Sequence, residues 1–297
     1  MLKYHYFPGC SVLGTGRACE ESTQAVIKEL GVELKEIDDW NCCGATAYMS
    51  VDEHNALALA ARNLALAEKE GATQMTTPCS GCYLTLNKSK HYIEEYPAVG
   101  NRVKGSLRKA GLEYKGSVRV RHMLDIMVND VGLDTIKKHV KVPLKGVKVA
   151  AYYGCQTVRP FKDFDQQHFP NKIDELCQAL GAETVYFPLK TRCCGGSQMG
   201  TLPQVAQRLV FAILREAKRQ GANLIVSVCP LCHFNLDSYQ PEIVGRFHED
   251  VSIPCMYYTQ LMGLAFGIDP KTLGLQRNLT WDKCFLRKQF TPAGVGA

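Results

Sequence analysis

The sequence predicts an α/β protein made of two homologous halves, each a small, mainly parallel sheet flanked by helices. The first observation behind this is a cysteine pattern that occurs twice. It runs Gly9-Cys10, Cys42-Cys43-Gly44, Cys79-Ser80-Gly81-Cys82, and then Gly154-Cys155, Cys193-Cys194-Gly195, Cys229-Pro230-Leu231-Cys232. Written as spacings, these are C-x31-CC-x35-C-x2-C and C-x37-CC-x34-C-x2-C, and they use ten of the 14 cysteines. A repeat of about 150 residues follows, splitting the chain into two related units. The second observation is that short apolar runs alternate with helical patterns, the order that yields βαβ units and a parallel sheet. The third is that each cysteine group comes just after such a run. That position is the carboxyl edge of the sheet, where open α/β sheets bind ligands.

Taken in order, Lys3 to Phe7 reads as a buried strand ending at Gly9-Cys10, and Cys19 to Leu30 as a helix stopped by Gly31. Val32 to Ile37 is the second strand and leads to Trp40-Asn41-Cys42-Cys43-Gly44. Asp52 starts a long alanine-rich helix that reaches about Glu70, with Gly71 as its terminator. Gln74 to Thr77 is the third strand, feeding Cys79 and Cys82, and Tyr83 to Glu95 is helical. Val118 to Val128, which contains His122, closes the half.

The second half repeats the series. Lys148 to Tyr153 precedes Cys155, Ile173 to Leu180 is a helix ending at Gly181, and Thr184 to Pro188 is the strand before Cys193. Pro203 to Gln220 is helical, Asn223 to Val228 enters Cys229, and Ile253 to Phe266 closes the half. Pro97 to Gly116 and Asp130 to Gly146 are polar, glycine-punctuated and lysine-rich, and the second of them is expected to join the halves. The expected domains are therefore 1–145 and 146–297. The second carries an extension from Pro270 through Trp281 and Cys284 to Ala297 that has no counterpart in the first, and its glycine- and proline-containing end is expected to be mobile or docked on a partner.

With 297 residues, each half has enough chain to bury a core of its own. The composition, 46% hydrophobic and 22% charged, is that of a soluble globular protein. The longest apolar stretches, such as Leu224 to Val228 and Leu261 to Phe266, fall short of the roughly 18 residues a membrane span needs, so no span is expected. No secretory leader pattern opens the sequence, and the expected location is the cytoplasm, where thiols stay reduced and cysteine clusters serve metals more often than disulfides. The net charge of +6 comes without an arginine-rich run or basic-aromatic interleaving, which argues against nucleic acid as a partner. Ligating thiolates and an anionic substrate would offset it.

Adjacent cysteines suit a ligand with several metal atoms better than one small ion. Structural zinc takes four ligands and a cubane [4Fe–4S] cluster takes four thiolates, whereas each half offers five. Either one thiolate per half is free for chemistry or the cluster is not a cubane; spacing does not choose between them.

The double pattern, with Pro78-Cys79-Ser80-Gly81-Cys82-Tyr83 and Cys229-Pro230-Leu231-Cys232-His233, resembles the cysteine-rich CCG domain and, over nearly the whole chain, the B subunit of heterodisulfide reductases. The resemblance implies two non-cubane [4Fe–4S] clusters rather than zinc. One would be held by Cys10, Cys42, Cys43, Cys79 and Cys82, the other by Cys155, Cys193, Cys194, Cys229 and Cys232. It implies reduction of the coenzyme M–coenzyme B heterodisulfide between them, within the energy metabolism of methanogenesis. It also implies partners: the ferredoxin-like iron–sulfur protein and the flavin-containing protein that form the C and A components of such reductases, with an associated hydrogenase or formate dehydrogenase. The chain has neither a C-x2-C-x2-C ferredoxin run nor a glycine-rich dinucleotide fingerprint, in keeping with electrons arriving from elsewhere. The alternative is a CCG electron-transfer subunit of a lactate, glycolate, succinate or sulfur-oxidising complex.

Outside the pattern, Cys19 and Cys177 lie on helices and read as small buried apolar residues, and Cys255 and Cys284 match no zinc spacing. Gly44, Gly195 and Gly196 would let backbone N–H groups point at cluster sulfurs. His122 and His233 are candidate proton donors or anion ligands beside their ordinary reading as structural histidines. Arg17, Lys88, Arg159, Lys162 and Arg192 are candidate contacts for an acidic substrate, each read otherwise as surface charge. Proline precedes the first cysteine of one C-x2-C as Pro78 but follows it in the other as Pro230, so the two sites need not be equivalent.

Overall fold

The computed structural model describes residues 2–45, 48–281 and 286. The first half begins with strand β1 (Lys3–Tyr6), a short 3-10 turn at Cys10–Leu13, helix α1 (Arg17–Glu29) and strand β2 (Glu33–Glu36). Helices α2 (Tyr48–Val51) and α3 (Glu53–Lys69) follow, then β3 (Gln74–Thr77), α4 (Ser80–Glu95) and α5 (Pro97–Lys109). Strand β4 (Arg119–His122) runs into α6 (Met123–Ile126), a π-helical turn over Met127–Gly132 and α7 (Leu133–Lys138).

The second half has β5 (Lys148–Tyr152), α8 (Lys172–Ala179), β6 (Glu183–Thr184), α9 (Gln198–Thr201) and α10 (Pro203–Arg219). It ends with β7 (Leu224–Ser227), α11 (Pro230–Ser238), α12 (Gln240–Phe247), β8 (Cys255–Tyr257) and α13 (Tyr258–Ala265).

The strands form two four-stranded, all-parallel sheets in the orders β2-β1-β3-β4 and β6-β5-β7-β8. The α/β class and the paired sheets are as expected. The chain moves out from the first strand to the second and back past it to the third, so each sheet has its topological switch between its two inner strands. Cys10 and Cys79 follow the strands flanking the switch in the first half, Cys155 and Cys229 in the second.

Local chemistry explains the elements. Strand β7 is buried throughout, as a parallel strand covered on both faces must be. The Asp52 side chain caps α3 by accepting the Asn55 N–H at 3.0 Å. Helix α10 starts with Pro203 in its first turn and buries Ala206, Val210, Ile213, Leu214 and Ala217 along one stripe.

Three expectations change. Pro97–Gly116 contains α5, which buries Val103 and Leu107 on one face, a four-residue spacing within a stretch whose polarity had suggested a connection. Asp130–Gly146 contains α7, anchored by buried Ile136. The strand expected over Thr184–Pro188 is the two-residue β6, because the next backbone groups of the first strand turn elsewhere: the Tyr153 and Gly154 N–H groups donate to the Lys190 carbonyl at 2.9 and 3.1 Å.

Each half has a core of its own, around Leu57, Leu64, Met75 and Leu86 in the first and Val210, Ile213, Ile225 and Leu236 in the second. A third core belongs to both, joining Val26, Ile27, Leu124 and Met127 to Val149, Leu176, Met256 and Leu261. Helix α1 packs on α13, and α8 packs on α7. The first helix of each half therefore lies against the helix that closes the other. Ser22 and Thr259 share a buried 2.7 Å hydroxyl bond across this contact. A partly buried ion cluster supports β4: Arg121 donates to Asp125 at 2.7 Å and to both Asp130 oxygens at 2.6 and 2.8 Å, and Tyr4 donates to Asp130.

Candidate functional site

Parallel strands ending on one edge deliver the loops that carry the ten patterned cysteines. Their sulfurs line up as one file in each half. Within the first half Cys10 meets Cys42 at 3.5 Å and Cys43 meets Cys82 at 3.4 Å; within the second, Cys194 meets Cys232 at 3.5 Å. Mutual shifts in protonation also link Cys42 to Cys43, Cys82 to Cys79, Cys232 to Cys229, Cys194 to Cys193 and Cys193 to Cys155. Across the halves, Cys79 and Cys229 influence one another's protonation, beside the 2.7 Å hydroxyl bond from Thr157 to Ser80 that joins the halves.

The two quintets therefore approach one another at a seam marked by Cys79 and Ser80 on one side and Thr157 and Cys229 on the other. The outer ends, Cys10, Cys42 and Cys193, are exposed, while Cys43, Cys82, Cys194 and Cys229 are buried. All 13 described cysteines are free thiols. Cys284 lies outside the described residues. Cys19, Cys177 and Cys255 are buried, the first two in helices.

Charge is distributed unevenly along the file. The Cys42 thiol is held down to about 2, first by hydrogen bonds from Cys10 and Cys43 and then by the Gly44 N–H. Its counterpart Cys193 is also held down to about 2, by Cys155, Cys194 and the Gly195 N–H. The donating neighbours move the other way: Cys43 is pushed up to about 12 and Cys194 to about 11, each chiefly by its bond to the preceding cysteine. At the seam Cys229 is held well below the ordinary thiol range by Cys232 and Cys79, and Cys79 is pushed up by the same bond. One thiolate per C-C pair and one at the seam are thus stabilised by neighbours in contact.

Backbone and glycine geometry shape the cradle. The Gly195 N–H donates to the Cys193 sulfur at 3.3 Å and the Gly196 N–H to the Cys194 sulfur at 3.4 Å. Gly44, Gly195 and Gly196 all have positive φ, as amides turned toward sulfur require. Gly9 and Gly154 occupy matching places: a Cβ on Gly9 would lie 2.9 Å from the Cys82 sulfur, and one on Gly154 would lie 2.9 Å from the Cys232 sulfur. Asn235, which carries no motif signal in the sequence, donates to the Cys194 carbonyl at 3.3 Å and its sulfur at 3.6 Å.

Among the described residues no three or more His, Cys, Asp or Glu side chains surround a single point suited to one metal ion. Five soft sulfurs per half, amide donors beside them and glycine at the closest approaches are a donor set that fits a several-iron, thiolate-held group.

The two histidines are brought close to the seam in a swapped arrangement. His122 ends β4 opposite Thr77, and Tyr257 ends β8 opposite Ser227. His122 stands edge-on to Tyr83, the residue after Cys82, with ring centroids 6.0 Å apart. His233, the residue after Cys232, stacks on Tyr257 at 4.0 Å. Histidine and tyrosine thus exchange places between the halves.

His122 Nδ1 accepts the Leu124 N–H at 3.1 Å, and Nε2 lies 3.4 Å from the Ser80 hydroxyl. Thr157, from the other half, donates to that hydroxyl at 2.7 Å. The Ser80, Thr157 and Tyr257 roles were invisible in the sequence, since each depends on a contact between the halves or between strand ends. The His–Tyr exchange was available in principle from aligning the two repeats.

Burial drives both histidines to the neutral form, His122 down to about 4 and His233 in the same direction. The folded value of His122 lies below the unfolded value of about 6.5, so the unfolded chain takes up the proton first and stability falls as pH drops from about 6.5 toward 4. We expect His122→Gln to flatten denaturant-unfolding stability across that window, by up to about 1.4 kcal/mol per pH unit. An unchanged slope in the variant would show that His122 is not the buried neutral group.

The five basic candidates part company. Arg17 pairs with Glu21 at 3.2 Å, and Lys88 lies over the Tyr92 ring at 4.8 Å. Lys162 lines a cavity of about 560 Å³ with Phe164, Asp165 and His168, a lining without cysteine. Arg159 and Arg192, in contrast, share a cavity of about 490 Å³ with Cys155 and Cys193.

Comparison with known proteins agrees with this geometry. The profile of the cysteine-rich domain named CCG matches residues 4–87 and again 149–237. The chain is 34% identical over 279 residues to the 8-methylmenaquinol:fumarate reductase membrane anchor subunit of Wolinella succinogenes, covering 93% of this chain and 96% of that one. It is 33% identical over 296 residues to the B subunit of the ferredoxin/F(420)H(2)-dependent CoB-CoM heterodisulfide reductase of Methanosarcina acetivorans, covering 97% of each. A crystal structure of a hypothetical protein from Helicobacter pylori shares the fold, with a TM-score of 0.73 and 13% identity, over 93% of this chain and 51% of that one.

Proposed function

This chain belongs to the cysteine-rich CCG domain family, and on that premise we propose that it is the disulfide-reducing subunit of a heterodisulfide reductase, converting the coenzyme M–coenzyme B mixed disulfide to two thiols. One observation carries the reading: the two cysteine quintets approach one another where Ser80 and Thr157 join the halves beside Cys79 and Cys229, so a disulfide spanning the quintets would face one of them with each sulfur. Cys10, Cys42, Cys43, Cys79 and Cys82 would hold one [4Fe–4S] cluster of non-cubane type, and Cys155, Cys193, Cys194, Cys229 and Cys232 a second. Domain limits of 1–145 and 146–297 follow from that assignment.

A bound cluster supplies electrons one at a time and an iron able to accept a developing thiolate. Two electrons and two protons balance the reaction: the S–S bond breaks, and each sulfur leaves as a thiol. The chain's own residues supply the rest. Buried Cys43, Cys82, Cys194 and Cys229 keep water from the inner side. The Gly195 and Gly196 amides and Asn235 set the electron density on the second group of sulfurs. Ser80, bonded to Thr157 and facing His122, ends a hydrogen-bond path next to Cys79, where protons are needed.

Electrons come from a ferredoxin-like iron–sulfur protein fed by a flavoprotein, and the cytoplasm, where contacting thiols stay reduced, is the fitting compartment. No helix among the described residues is long and apolar enough to cross a membrane.

The test is anaerobic. The iron-replete chain, given reduced viologen and the mixed disulfide, is expected to form two free thiols per disulfide consumed. Full iron content without thiol formation would overturn the assignment. A second reading would then apply, electron transfer in a quinol–fumarate complex, favoured by the 34% identity to the Wolinella anchor protein. Reduction of the oxidised chain by a quinol, with no thiol formed from the disulfide, would support it.

A further inference from the structure

The two sulfur sites have opposite rims. At the second, Arg159 and Arg192 line the cavity of about 490 Å³ that also contains Cys155 and Cys193, with Leu189 and Leu209 forming its apolar wall. Both arginines are held by backbone: Arg159 donates to the Thr191 carbonyl, and the Arg192 carbonyl accepts the buried Tyr152 hydroxyl at 2.6 Å. Neither forms a salt bridge among the described residues, whereas Arg17, Arg62, Arg121, Arg215, Arg219 and Arg277 all do.

Counting from the matching cysteines, the first half has Gly14 in place of Arg159 and Asn41 in place of Arg192. Asn41 spends its amide on the Cys42 and Leu59 carbonyls. Arg62 reaches Asn41 but is neutralised by Asp39. Leu13, the neighbour of Gly14, is exposed. The first rim is therefore balanced in charge, and the second carries two arginines without a carboxylate partner beside exposed sulfur.

We propose that the Arg159–Arg192 cavity is an oxyanion-binding subsite that receives the acidic tail of a short thiol while its sulfur reaches the second cysteine site. The inference rests on the disulfide-reductase reading and deepens it: a mixed disulfide binds in one direction, with its short acidic half on residues 155–232. Guanidinium groups suit carboxylate, sulfonate or phosphate through paired N–H donors, and the apolar wall takes the short chain. The volume suits a small ligand.

The experiment uses the oxygen-protected, iron-loaded chain and follows its electron paramagnetic resonance spectrum. It is titrated with 3-mercaptopropionate and, separately, with the uncharged 2-mercaptoethanol. The wild type should respond to the acidic thiol at a concentration about tenfold or more lower, the effect of charge-assisted hydrogen bonds. In the double variant Arg159→Leu/Arg192→Leu that preference should vanish while the response to the neutral thiol stays. Arg192→Lys should restore part of it in the presence of Arg159. Equal iron content in all variants confirms that the site is intact. A wild type that responds equally to both thiols, or a double variant that keeps the preference, overturns the subsite and leaves the reductase reading standing. A spectrum indifferent to every thiol overturns that reading and the subsite with it.

Discussion

Replacing Cys194 by serine should cost the protein about four of roughly eight irons and lower disulfide reduction by about a hundredfold or more. Cys194 is 2% exposed and sits at the centre of the second quintet: its sulfur is 3.5 Å from Cys232 and receives the Gly196 N–H and the Asn235 amide. A serine oxygen is smaller and harder and is not a thiolate at neutral pH, so it leaves those donors facing a poor ligand. The control is Cys177→Ser. Cys177 is equally buried but packs in the shared core, so its loss should spare the iron. Iron and sulfide counting, with thiol release as the second readout, checks both variants. Unchanged iron in Cys194→Ser, or zinc in place of iron in the oxygen-protected wild type, would remove the agent of the proposed chemistry.

Gly195→Ala should destabilise the fold by about 3 kcal/mol, and Gly44→Ala by about half as much, although the two glycines hold the same place in the two repeats. Both have positive φ, +92° and +76°, so each alanine incurs backbone strain. They differ in what the new methyl would meet. At Gly195 it would lie 2.7 Å from the Ala206 Cβ and 2.9 Å from its Cα, inside the backbone of α10. At Gly44 the nearest atoms are those of Ala56 at 3.5 Å, an ordinary contact with α3. Helix backbone does not yield as a flexible side chain would, so the added cost falls on the second half. Chemical unfolding of both variants measures it, and equal penalties would contradict the packing described around α10.

Much of the architecture was legible in the sequence because its signals are local. Gly31, Gly71 and Gly181 each have the positive φ that ends a helix, and Asp52 caps α3 as a start signal should. Helices α5 and α7 look like connections in the sequence because abundant lysine and glycine mask the spacing of Val103, Leu107 and Ile136. Strand β6 looks too long there because apolar Val185 to Phe187 resembles a strand, yet the ladder stops where Lys190 takes the next amides. Of the basic residues, the sequence offers five equal candidates, and only the loop geometry puts two of them in a cavity with sulfur.

Which thiols form each quintet can be read from spacing alone, because a parallel sheet brings residues that follow its strands to a common edge whatever lies between them. That the two quintets approach one another cannot be read this way. The approach of Cys79 and Ser80 to Thr157 and Cys229 brings together residues up to 150 apart, and it exists because α1 lies on α13, α8 lies on α7, and both pairs bury one shared apolar core. Burial of that core sets the distance between the halves, and no periodicity within either half encodes it. The same holds for the cationic rim at Arg159 and Arg192, whose separation along the chain closes only when the loops after β5 and β6 fold over one another.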